Sequence, residues 1–214
     1  MKYSTVIFDL DGTLLDTIAD LAASANYACR EMGFPQYTVD QIRSFVGNGT
    51  RRLIAQCVPG GEDSPDFEKT FSIFTDHYAV HHSDHTKPYS GIMEVLKKMA
   101  GNEYKMAIVS NKPDAFVKVL NENWFGDYIS VAIGEKPSVR RKPAPDTVIE
   151  AMEQLFSEKF ETVYVGDSEV DIKTARNAGV DCISVSWGFR SPETLKESGA
   201  SIIIDRPEEL LDHI

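Results

Sequence analysis

Several things are scarce in this chain of 214 residues, and each scarcity excludes something. There are three cysteines, Cys29, Cys57 and Cys182, an odd number, far apart in sequence and set among apolar residues. That excludes a disulfide framework and points to buried free thiols in a reducing compartment. Basic residues are outnumbered, 22 Lys and Arg against 33 Asp and Glu, for a formal charge of −11. So acidic a chain is not built for nucleic acid or an anionic membrane, and any anionic substrate must be met by local cations or a metal. No apolar run approaches the ~20 residues needed to cross a bilayer, and the first residues lack the apolar core of a signal peptide. A cytoplasmic protein is expected. Internal repeats and low-complexity tracts are also lacking. What remains is an ordinary globular composition, 42% hydrophobic, enough for one large domain or a core with a modest insertion.

The most informative stretch runs from Val6 to Asp16. Thr5 to Leu10 is short, β-branched and nearly all apolar, the pattern of a strand buried on both faces of a parallel sheet. It stops in carboxylates. Asp9 and Asp11 lie two residues apart, so in extended chain both side chains point to one side. In an open α/β sheet the space beyond the carboxyl end of a strand is where ligands bind.

Downstream, Ile18, Leu21, Ala22, Ala25, Cys29 and Met32 recur at helical spacing. Thr38 caps a second helix, Gly47-Asn48-Gly49 breaks it, Thr50 to Cys57 resumes the period, and Phe67, Phe71, Phe74 and Tyr78 form an aromatic stripe best read as helical core. His77, His81, His82 and His85 lack the flanking ligands of a zinc site and read as a solvated hinge. From there strand and helix alternate. Lys105–Val109, Tyr128–Ile133, Thr162–Val165, Cys182–Ser186 and Ile202–Ile204 read as strands. Helices are expected through Ile92–Met99, Phe116–Trp124, Val148–Leu155 and Asp171–Ala178. The class is α/β, a mainly parallel sheet covered on both faces, with an all-helical block inserted after the first strand. The expected division is a discontinuous core of residues 1–14 and 86–214 around a helical cap of residues 15–85, with hinges near 14–17 and 82–89.

Three of these strands end in polar groups: Asp9 with Asp11, Ser110 with Asn111, and Asp167. A parallel sheet brings those ends to one edge, and Lys142 enters from a loop between two units. Arg140 and Arg141 beside it read as a solvated charge run. Clustered carboxylates cannot all stay ionised without a cation, and an oxygen-only set favours Mg²⁺. An anion bridging metal and lysine is the natural substrate, and phosphate is the best candidate.

Asp9-Leu10-Asp11-Gly12-Thr13, then Ser110-Asn111, then Lys142, then Gly166-Asp167-Ser168 with Asp171 resemble the four ordered motifs of the haloacid dehalogenase-like hydrolases. Within them, the insertion after the first motif, Gly47-Asn48-Gly49, Lys142-Pro143-Ala144-Pro145-Asp146 and Ala178-Gly179 are similar to the phosphoglycolate phosphatase-like group. The resemblance implies a three-layer Rossmann-like core and a Mg²⁺-dependent phosphatase. Asp9 would be the nucleophile that forms an aspartyl-phosphate, and Asp11 the acid that then acts as base. Mg²⁺ would be held by the Asp9 carboxylate, the Asp11 carbonyl and Asp167, supported by Asp171. Ser110 and the Asn111 backbone would bind the phosphoryl oxygens, and Lys142 would pair with both phosphate and Asp9. Gly47, Asn48, Gly49 and Arg51 would contact substrate from the cap. The expected partner is a small phosphorylated metabolite, 2-phosphoglycolate first, with a monomer or homodimer as the assembly. Pyrophosphatase, sugar-phosphate phosphatase or phosphomutase activity are the alternatives on the same scaffold. A 2-haloacid dehalogenase fits less well, since that chemistry needs no second acid at Asp11, and a non-catalytic module would be expected to have lost Asp9 or Asp11.

Overall fold

The computed structural model describes residues 2–137 and 139–214. The chain divides into two compact units, Met1–Leu15 with Pro88–Ile214, and Asp16–Lys87.

In the first unit the strands are β1 (Thr5–Phe8), β4 (Lys105–Pro113), β5 (Val131–Glu135), β6 (Thr162–Gly166), β7 (Asp181–Val185) and β8 (Ile203–Ile204). They form one six-stranded sheet in the order β5-β4-β1-β6-β7-β8, with parallel pairing at each junction. The pleat explains the near-continuous apolar runs. Val6 and Phe8 face one cluster with Ile108, Val163 and Val165, joined by Ile92, Val95 and Leu96 of α5 (Ile92–Gly101) and Val117 and Leu120 of α6 (Asp114–Trp124). Ile7 faces the other with Ala107, Val109 and Tyr164, covered by Val148, Ala151 and Met152 of α7 (Asp146–Leu155) and Ala175 and Ala178 of α8 (Glu169–Ala178). The result is the three-layer α/β core. Where the chain leaves and re-enters, β2 (Leu15–Asp16) and β3 (Lys87–Pro88) form a two-stranded ribbon.

Several boundaries differ from the sequence reading. The third long strand begins at Val131, not Tyr128, because Tyr128 and Ile129 close a turn on the Phe125 carbonyl, each at 2.8 Å. Ile129 is apolar because it is buried in the core, not because it is in a strand. β4 runs on to Pro113, pairing with Glu135 after a register shift past Val109. α8 starts at Glu169, because Asp171 reaches back to the Ser168 N–H at 3.1 Å in a capping box. A short helix, α9 (Pro192–Glu197), capped by Ser191 at the Thr194 N–H, was not anticipated. Its six residues bury only Leu195, too little for periodicity to register.

Within Asp16–Lys87 the helices are α1 (Ile18–Glu31), α2 (Val39–Phe45), α3 (Thr50–Cys57) and α4 (Phe67–His81). Thr38 and Gln41 form a reciprocal capping box at α2. Phe67, Phe74 and Tyr78 are buried, with successive rings from Phe67 through Phe71 and Phe74 to Tyr78 stacked 5.5 to 6.4 Å apart. Cys29 and Cys57, distant in sequence, are buried free thiols as expected, and they lie beside each other where α1 and α3 pack together. One reading needs correction. The histidines are not one solvated hinge, since His77 stacks on Tyr27 at 4.1 Å and on His81 at 4.3 Å and bonds Ser24 Oγ at 3.0 Å.

The chain's exit from the helical unit is anchored by Asp20, whose buried carboxylate accepts from the His85 N–H at 3.0 Å and from the Thr86 N–H and hydroxyl at 2.8 Å each. Asp20→Ala leaves these donors without an acceptor and should cost about 3 kcal/mol. Amide hydrogen exchange at His85 and Thr86 should accelerate in that variant; unchanged protection would show that Asp20 is not the anchor.

Candidate active site

The register of the sheet decides which side chains meet. Phe8 is level with Ile108 on β4 and with Val165 on β6. Asp9 follows one residue beyond that level, and Ser110 and Asp167 two residues beyond it. One oxygen from each of Asp9, Asp167 and Asp171 lies within 4.8 Å of the others, and all three residues are buried.

Lys142 is the ammonium in this cluster. Its Nζ lies 2.8 Å from Asp9 Oδ1, 2.8 Å from Asp171 Oδ1 and 3.0 Å from the Tyr164 hydroxyl, with the side chain 2% exposed. Burial alone would lower its pKa, but the Asp171 and Asp9 carboxylates outweigh burial and raise it. Asp9 Oδ1 also accepts the Leu10 N–H at 2.7 Å, so two donors fix the plane of that carboxylate.

Asp171 is fully used within the protein. Oδ1 takes Lys142 and the Tyr164 hydroxyl, at 2.8 and 3.0 Å, and Oδ2 takes the Ser168 hydroxyl and N–H at 2.6 and 3.1 Å. A carboxylate with both oxygens occupied orients its neighbours rather than offering itself to a ligand. Asp167 differs, with Oδ2 bonded to the Phe189 N–H at 2.7 Å and Oδ1 only 3.5 Å from the Thr13 hydroxyl.

Three carboxylates share one ammonium here, and the charges show the strain. Burial, followed by the charge of Asp171, pushes Asp9 up to about 7 from 3.8. Asp167 rises well above its ordinary value, for burial first and then the charges of Asp171 and Asp9. This uncompensated negative charge on hard oxygen donors is what a divalent cation such as Mg²⁺ would satisfy, so the residues fit the metal.

The remaining expected residues fall as follows. Ser110 Oγ accepts the Lys112 N–H at 3.2 Å, an arrangement that leaves its O–H free to donate. Asn111 does something the sequence did not suggest: its side-chain amide donates to the Lys142 carbonyl at 3.0 Å, tying down the loop that carries the lysine. Asp11 is paired with Lys112, whose Nζ lies 2.8 and 3.1 Å from its two oxygens. Arg140 pairs with Asp146 at 2.9 Å on the surface. Gly47, Asn48 and Gly49 form the turn between α2 and α3 in the other unit. Arg51 just after it pairs with Glu68 and lies over the Phe67 ring, 4.5 Å from its centroid.

Lys112 and Tyr164 were missed. With β4 extended to Pro113, Ser110 and Lys112 stand two apart on one face, a signal hidden by ending the strand at Val109. Tyr164 was legible in principle, as a tyrosine in a fully buried strand whose hydroxyl needs a partner.

A model of the haloacid dehalogenase-like hydrolase family matches residues 6–185. The phosphoglycolate phosphatase of Pseudomonas putida is 32% identical over 212 residues, covering 96% of this chain and 78% of that protein. The N-acetylmuramic acid 6-phosphate phosphatase of Pseudomonas aeruginosa is 31% identical over 214 residues, covering 99% of this chain and 95% of that protein. A crystal structure from Lactobacillus delbrueckii, described as a candidate phosphoglycolate phosphatase, superposes with a TM-score of 0.93 at 38% identity, over 100% of this chain and 99% of that one.

Proposed function

Because the chain belongs to the haloacid dehalogenase-like hydrolase family, we propose that this site is a Mg²⁺-dependent phosphatase acting on a small phosphate monoester, with 2-phosphoglycolate as first candidate. The observation that carries the reading is Lys142 Nζ, buried and 2.8 Å from both Asp9 and Asp171, beside the buried carboxylate of Asp167. Such a cluster suits a dianionic phosphoryl group only when a metal joins it.

In this reading Asp9, fixed in orientation by Lys142 and the Leu10 N–H, forms a bond to phosphorus as the ester P–O bond breaks, and Asp11 protonates the leaving alkoxide. Asp11 then takes a proton from the water that attacks the aspartyl-phosphate, which releases inorganic phosphate and restores Asp9. Ser110 donates to a phosphoryl oxygen, and Lys142 balances charge that builds there. Asp9, Asp167 and the Asp11 carbonyl would hold Mg²⁺, which when bound supplies Lewis-acid neutralisation of the phosphoryl charge.

Relatives named for both phosphoglycolate and N-acetylmuramic acid 6-phosphate define the competing readings. A screen ranked by kcat/KM should include 2-phosphoglycolate, N-acetylmuramic acid 6-phosphate, pyrophosphate and hexose phosphates. We expect 2-phosphoglycolate to lead; a sugar phosphate leading by about tenfold, some 1.4 kcal/mol of differential transition-state binding, would transfer the assignment to sugar phosphates. Exhaustive chelation should abolish turnover and Mg²⁺ restore it. Hydrolysis that survives chelation would remove the metal from the reading.

A further inference from the structure

Asp167 leaves the sheet at the end of β6, yet its carboxylate is held by the segment that follows the neighbouring strand, β7. Residues 186–190 reach across the end of β6 to the turn after β1. The Phe189 N–H donates to Asp167 Oδ2 at 2.7 Å. Trp187 Nε1–H donates to the Thr13 carbonyl at 3.0 Å. Between them, Gly188 fits where no side chain could: a Cβ there would overlap Asp167 Cβ and the Gly12 carbonyl oxygen. Gly12, at φ +85°, faces the same constraint from the other side, since a Cβ on it would overlap Asp167 Oδ2 and come within 2.9 Å of the Phe189 ring.

Two backbones thus close on one carboxylate, and the Trp187 bond ties them together. The consequence is a choice between its oxygens. Oδ2 is taken by a short N–H bond, whereas Oδ1 has the Thr13 hydroxyl at 3.5 Å.

We propose that Trp187, Gly188 and Phe189 are positioning residues that hold Asp167 in one orientation with Oδ1 available, and thereby set both the affinity of the site for Mg²⁺ and its preference for Mg²⁺ over Ca²⁺. The inference rests on the reading of Asp167 as a cation ligand. The physical basis is the difference between the ions: Mg²⁺ demands near-ideal geometry at short distances, whereas Ca²⁺ tolerates variable geometry. A rigid carboxylate therefore favours Mg²⁺, and a loosened one loses Mg²⁺ more than Ca²⁺.

The test is calorimetric titration of the full chain with Mg²⁺ alone and with Ca²⁺ alone. Gly188→Ala should raise the Kd for Mg²⁺ by about tenfold or more, as loss of groups supporting a metal ligand does, while the Kd for Ca²⁺ changes less than about threefold. Trp187→Phe removes only the Nε1–H donor and should shift Mg²⁺ the same way by a smaller factor, about threefold; it decides the matter if Gly188→Ala does not fold. Equal shifts for both ions in the folded variants, or none, would overturn the proposal, because general loosening has no reason to discriminate between the ions. Asp167→Asn separates the two levels. Unchanged Mg²⁺ affinity in that variant overturns the ligand reading itself. Lost affinity there, with Gly188→Ala and Trp187→Phe binding like the parent protein, overturns the positioning inference alone.

Discussion

Replacing Asp9 with asparagine is expected to lower kcat for any phosphate monoester by about 10⁴-fold or more, since the proposed nucleophile is gone and only positioning and electrostatics remain. The same change should stabilise the metal-free protein. Burial and the charge of Asp171 push Asp9 up to about 7 from 3.8. A carboxyl raised on folding holds more protons in the native than in the unfolded state, so stability falls as pH climbs through that window and the penalty is complete above it. The neutral amide carries no such penalty. At about pH 8 without metal we expect Asp9→Asn to gain about 2 kcal/mol, or roughly 4–8 °C in Tm for a chain of this size. Added Mg²⁺ should reverse the order, because in the proposed reading only the parent protein keeps the full charge on the metal-holding carboxylates. Scanning calorimetry with and without Mg²⁺ checks both halves. Undiminished hydrolysis would end the assignment of Asp9 as nucleophile, and a lower metal-free Tm would mean that its bond to Lys142 outweighs the crowding of charge.

Lys142→Met should have the opposite effect on stability. The methionine fills similar volume but leaves Asp9 and Asp171, each 2.8 Å from the lost ammonium, without a counter-charge in a buried site. Breaking such a buried pair from one side costs about 3–5 kcal/mol, which corresponds to a fall of roughly 6–20 °C in Tm. Turnover should fall on the order of 10³-fold in kcat/KM, the scale of losing one preorganised stabiliser of phosphoryl charge. Mg²⁺ should recover part of the lost Tm, since it supplies positive charge to the same carboxylates. A variant that melts like the parent would show that Lys142 is not the counter-charge of the cluster.

Much of this was legible in the sequence. The strand that stops in Asp9 and Asp11, the polar ends at Ser110 and Asp167, and the alternation of strand and helix after residue 90 are local patterns of hydrophobicity and punctuation, and those determine secondary structure and fold class. Parallel pairing then places the strand ends on one edge, so the joint presence of Asp9, Asp167 and Ser110 at one site follows from order along the chain. Lys142 came from the resemblance of its motif and from its position in a connecting loop, not from any periodicity.

Only the tertiary structure decided the partners. The pairing of Lys142 with Asp171 as well as Asp9, the bond from the Asn111 side chain to the loop that carries the lysine, the Lys112–Asp11 ion pair, and the Trp187-Gly188-Phe189 clasp on Asp167 link positions that no local pattern connects. The same holds for Cys29 beside Cys57 and for Asp20 beneath Thr86. The physical reason is one of range. Hydrophobic periodicity fixes which face of an element is buried, but hydrogen bonds and ion pairs are made over about 3 Å, and which donor reaches which carboxylate is set only when the elements have packed. The sequence by itself determined that two acids would stand at the end of the first strand; the folded chain decided that Asp9 is held by a lysine and that Asp167 is held by a backbone.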